Sequence, residues 1–72
     1  MLNTELTKKE QQIYDLVCVH GIGFHNTKEL EKYTGNKYST IKTHLDHIYQ
    51  KKFVHSMTEL VWNHYQGEIA NA

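Results

Sequence analysis

"YSTIKTHLDHIYQKK", Tyr38 to Lys52, is the stretch whose reading decides the fold. Ile41, Leu45 and Ile48 recur at spacings of four and three, which puts them on one stripe of an α-helix. The opposite side carries Ser39, Thr43, Asp46 and Gln50, with Lys42 beside them. A helix so divided buries one face and offers a continuous polar face to a partner.

Three more helices are expected around it. Thr7 followed by Glu10 is a capping box, in which hydroxyl and carboxylate satisfy the orphan N–H groups of a helix start reciprocally. Asn26 with Glu29 and Ser56 with Glu59 repeat the device. The spacing predicts helices over about residues 8–19, 27–34, 38–51 and 57–66. Gly21 and Gly23 stop the first, Gly35 ends the second in the left-handed conformation, and Gly67 ends the fourth, leaving a frayed tail. Inward residues are expected at Ile13, Leu16, Val17, His20, Leu30, Tyr33, Phe53, Val54, Met57, Leu60 and His64. The chain lacks proline, and alternating strand patterns are weak. Residues 1–72 therefore read as one all-α, four-helix domain. A short helix, a glycine-centred turn and a longer amphipathic helix make the helix-turn-helix plan.

The 72 residues carry a formal net charge of zero, and all eight cations are lysines. Their distribution is uneven. Residues 28–52 hold six lysines against Glu29, Glu31 and Asp46, whereas the ends are acidic. The single cysteine, Cys18, lies in the apolar run "IYDLVCV" and reads as a buried thiol of a cytoplasmic, reducing compartment. The N-terminus is polar, unlike a signal peptide, and no apolar run approaches the roughly 20 residues of a membrane span. Six histidines raise the question of a metal, but no zinc-site spacing accompanies them, so no metal or other cofactor is expected. Neither a nucleophile–base set nor a glycine-rich phosphate loop is present, so the expectation is a binding protein rather than an enzyme.

"TIKTHLDHIYQKKFV" (40–54) resembles the signature of LuxR/GerE-type helix-turn-helix domains, T-V-K-x-H-L-x-x-I-x-x-K-L-x-V. Thr40, Ile41, Lys42, His44, Leu45, Ile48, Lys51 and Val54 match it. "LTKKEQQIYDL" (6–16), "TKEL" (27–30) and "SMTELV" (56–61) are similar to the family's other segments, in the same order. The resemblance implies a stand-alone, GerE-like DNA-binding domain. Where the family has a serine cap before its third helix this chain has Lys37, so the cap is expected on Asn36.

On that footing the helix over 38–51 enters the major groove of duplex DNA, with Lys42, Thr43, Asp46 and His47 nearest the bases. Tyr38, Ser39, Thr40 and Lys51, with Thr27 and Lys28 at the second helix, are expected at phosphates. Lysine meets phosphate as a point charge and lacks the arginine fork, so affinity per protomer is expected to be modest and salt-steep. The resemblance also implies a homodimer through the last helix, where Thr58, Trp62 and Tyr65 share a face turned away from the core. A transcriptional regulator is the leading expectation. Zero net charge, Asp46 and an exposed Trp62 favour instead a module of phage or mobile-element type that binds a host regulator or enzyme. A DNA-packaging or replication accessory is a third.

Overall fold

Thr7 opens the first helix as the sequence predicts. Its hydroxyl accepts from the Glu10 N–H at 3.2 Å, and the Glu10 carboxylate accepts from the Thr7 N–H at 3.0 Å. In the computed structural model, which describes residues 5–24 and 26–70, this helix is α1, Lys8–Cys18. It is followed by α2 (Glu29–Thr34), α3 (Tyr38–Lys52) and α4 (Met57–Ala70). Every regular element among the described residues is helical, as expected.

Two glycines shape the connection after α1. Gly21, at φ +68°, turns the chain so that the Ile22 N–H reaches the Leu16 carbonyl at 2.8 Å. Gly23 is buried at φ +85°, with Leu30 packed where a Cβ would stand. The predicted Asn26–Glu29 box does not form. Asn26 Oδ1 accepts from the Lys28 N–H at 3.1 Å instead, residues 26–31 are joined by i to i+3 bonds, and α2 begins at Glu29 rather than Thr27. Gly35, at φ +72°, ends α2 as predicted.

The cap of α3 falls on Lys37, not Asn36, and no side chain bonds the first N–H groups. Asn36 instead donates its N–H to the Thr34 hydroxyl at 3.2 Å. At the other end Phe53 takes the left-handed conformation, φ 59° and ψ 40°, and the Val54 N–H closes on the Tyr49 carbonyl at 2.9 Å. Helix α4 starts on a modified box. The Ser56 hydroxyl accepts from the Glu59 N–H at 3.2 Å, while the Glu59 carboxylate reaches back to the His55 N–H at 2.7 Å. It runs past Gly67 to Ala70, correcting the predicted end.

The core is one cluster of Ile13, Val17, Leu30, Ile41, Leu45, Ile48, Val54 and Leu60. Full burial of each such side chain contributes about 1.5–3 kcal/mol. Leu6, Leu16, Ile22, Met57 and Val61 pack partly against it. Helix α1 lies most extensively on α3 and also touches α2 and α4. Polar ties also cross between elements. Lys9 Nζ donates to the Thr34 carbonyl at 3.3 Å, the Tyr14 hydroxyl bonds His64 Nδ1 at 2.8 Å, and Lys52 Nζ stands 5.1 Å from the centroid of the Tyr14 ring.

Three inward expectations are corrected. Tyr33 is exposed, because Thr34 rather than Tyr33 sits on the side of α2 that holds Leu30. Phe53 is 72% exposed, since the left-handed turn swings its side chain out while Val54 is tucked in. His20 is exposed as well.

Candidate nucleic-acid interface on the third helix

The site is built on α3 because its two faces are so different. Ile41, Leu45 and Ile48 are buried, and Ser39, Thr43, Asp46 and Gln50 on the opposite side are all exposed. Thr40 and Lys42 flank that stripe and are exposed too. From Ser39 to Gln50 the polar strip extends about 17 Å. The Thr43 hydroxyl donates to the Ser39 carbonyl at 3.1 Å, a back-bond that fixes its rotamer. Asp46 takes no hydrogen bond and joins no ion pair among the described residues.

The structure treats the remaining predicted contacts differently. Lys51 is not presented outward. Its ammonium donates to Glu10 Oε1 at 2.6 Å, and only a fifth of its side chain is exposed. His47 leans the same way, its Nδ1 3.7 Å from Glu10 Oε2, with about half of its side chain exposed. Tyr38 stays exposed at the start of α3. Thr27 is half-buried in the turn before α2, and Lys28 beside it is exposed. Lys28, Lys37 and Lys42 form no ion pair with any described residue.

Glu10 is the residue whose role the sequence concealed. It appears there only as a capping-box carboxylate, yet it is almost fully buried and binds Lys51 from 41 positions away. Burial alone would raise its carboxyl. The hydrogen bonds from Lys51 and the Thr7 N–H, with the charges of Lys51 and His47, outweigh that and hold it below its ordinary 4.5. The capping box was a local signal for the helix start, but nothing local points to the partner.

His44, which matches the family signature, lies on the flank of the buried stripe, and its Nδ1 is enclosed without a hydrogen-bond partner among the described residues. Cys18 is half-buried. Burial pushes its thiol up to about 11 against a smaller opposing hydrogen bond from Tyr14, so the nucleophilic thiolate is scarce at neutral pH. Among the described residues no group of three or more His, Cys, Asp or Glu is placed to hold a metal ion. No helix there is long and apolar enough to cross a membrane.

A second surface lies on α4. Thr58, Trp62 and Tyr65 are exposed, and the two rings stack with centroids 6.5 Å apart at 28°. Val61 of α4 borders an open groove of roughly 400 Å³ lined also by Val17, Cys18, Val19 and Phe24. The polar strip of α3 and the aromatic pair of α4 are thus separate features on separate helices. No family model, curated protein or solved structure matches the chain.

Proposed function

We propose that this chain is a LuxR/GerE-like helix-turn-helix domain that binds duplex DNA sequence-specifically and regulates transcription, with α3 in the major groove and α4 pairing two copies. The observation that carries the reading is the strip of Ser39, Thr43, Asp46 and Gln50 with Lys42, an exposed polar helix face without an apolar residue. The major groove, about 12 Å wide, admits one helix and is read by such short side chains. Lys28, Lys37 and Lys42 supply charge for phosphates, while Tyr38, Ser39 and Thr40 supply side-chain hydroxyls. The Glu10–Lys51 pair holds the angle of α3 against α1, so the strip is a rigid platform. Two copies joined through Thr58, Trp62 and Tyr65 would read two half-sites, which offsets the modest affinity of a domain without arginine.

A second reading is favoured by a specific observation. With Lys51 engaged by Glu10 and Lys52 over Tyr14, α3 keeps a single free lysine, Lys42, beside Asp46. A face that is nearly neutral suits a protein partner, and the exposed Trp62–Tyr65 pair would anchor it. A salt series on a selected duplex pool against random duplex, with oligomeric state followed by light scattering, separates the two. Duplex binding by a dimer that weakens steeply with salt supports the regulator. No preference over random duplex, even at about 50 mM salt where phosphate contacts are strongest, sinks it.

A further inference from the structure

We infer that Asp46 selects a cytosine in each half-site, so that a carboxylate rather than a lysine fixes the sequence preference of α3. The inference rests on the duplex-binding reading above and narrows it to one base. Its basis is how the cations of α3 are arranged. Lys51 is bound to Glu10 at 2.6 Å, His47 Nδ1 stands 3.7 Å from the same carboxylate, and the Lys52 ammonium lies over the Tyr14 ring. Three of the helix's basic side chains are therefore drawn toward α1. What remains along the outward stripe is Ser39, Thr43, Asp46 and Gln50, with Asp46 as its one charge.

Asp46 is exposed and is bonded to no described residue, not even to Lys42 one turn before it. A carboxylate on a helix lying between phosphates is repelled wherever it finds no donor. It gains only at a base that presents an amino group to the groove, and two bases do so. Adenine places its N7 acceptor beside the N6 amino group, so the second carboxylate oxygen meets a lone pair. Cytosine places a C5–H beside its N4 amino group and opposes nothing. An ionised aspartate accepts and cannot donate, so it has no favourable hydrogen bond to the acceptor edges of guanine or thymine. Thr43 reinforces the assignment. Its hydroxyl hydrogen is committed to the Ser39 carbonyl, so it can only accept there, and Asp46 is the charged acceptor at the centre of the strip.

The test is enrichment of duplexes from a random pool by the full chain and by Asp46→Asn, followed by competition among duplexes differing at one position. The wild type should enrich a site with a fixed cytosine in each half, and replacing that cytosine should weaken binding by about 10-fold or more. Asp46→Asn keeps the shape, removes the charge and pairs with adenine N6 and N7, so the same position should change to adenine. It should also raise binding to random duplex. A wild-type site with no fixed cytosine, or an unchanged site in Asp46→Asn with its helical content intact, overturns the inference and leaves duplex binding standing. No enrichment by the wild type overturns both. Every cytosine of a duplex faces a guanine that the exposed Lys42 could read, so the change of site in Asp46→Asn, with helical content intact, is what assigns the position to Asp46.

Discussion

At the scale of single residues, Glu10 has two roles at once. Its Oε1 accepts the N–H of Thr7 and the ammonium of Lys51, so one oxygen caps α1 and ties it to α3. Removing one partner of such a pair leaves a charge stranded in a largely dry place. Lys51 keeps some solvent, so Lys51→Ala should lower unfolding free energy by about 1–3 kcal/mol in urea titration, less than for a fully buried pair. The pH response has a definite sign. The folded carboxyl is held below its ordinary 4.5, so its contribution is complete above that value and is lost as pH falls through the lower folded value. Wild-type stability should therefore drop more steeply on acidification below 4.5 than that of Glu10→Gln, which has no proton to take up there. Equal slopes in thermal melts between pH 5 and 3 would refute the assignment. Phe53 works against the fold. A left-handed residue with a Cβ costs roughly 1–2 kcal/mol, and the exposed ring recovers little of it by burial. Phe53→Gly should raise stability by about 0.5–1 kcal/mol after the extra chain entropy of glycine is subtracted.

At the scale of elements, the parts written in local chemistry could be read from the sequence. The Thr7 box fixed the start of α1, and the stripe of Ile41, Leu45 and Ile48 fixed α3 and its buried side. Parts decided by distant or weak terms could not. Gly67 looks like a stop, but a helix-interior glycine costs only about 1 kcal/mol, too little to end α4 by itself. Tyr33 and Phe53 look apolar enough to bury, yet Tyr33 falls off the side of α2 that holds Leu30 and Thr34, and a left-handed turn redirects Phe53. For the candidate site, the exposed strip was legible from periodicity. The withdrawal of Lys51 and His47 was not, because it depends on Glu10, some forty positions earlier in the chain. The loop between α1 and α2 makes its own demand. A Cβ on Gly23 would stand 2.7 Å from Leu30 Cγ at a φ of +85°. Gly23→Ala combines overpacking with a strained backbone and should cost about 2–4 kcal/mol. Gly35→Ala has the left-handed backbone but open space around it, so only about 1–2 kcal/mol is expected, again from urea titration. Similar costs at the two sites would show that Leu30 yields easily.

At the scale of the whole molecule, the described residues bury a small apolar cluster, and the radius of gyration is 11.8 Å, close to that of a compact domain of this length. Stability from so small a core is limited, and association would add to it. The exposed rings of Trp62 and Tyr65 contribute little to the monomer but would lie at the centre of the proposed pairing. Trp62→Ala should leave monomer unfolding within about 0.5 kcal/mol. At the same time it should weaken self-association by at least 10-fold in sedimentation, as loss of an aromatic hot spot does. Unchanged association would move the interface elsewhere.

The placement of Trp62 has an optical consequence. It is the chain's one tryptophan, and it is already 58% exposed in the folded protein. Its emission should therefore barely shift when the chain unfolds, so fluorescence would under-report denaturation. The same indole would shift to shorter wavelength when a partner excludes water from it. The protein thus carries a built-in probe that is nearly blind to its own unfolding and sensitive to what docks on α4.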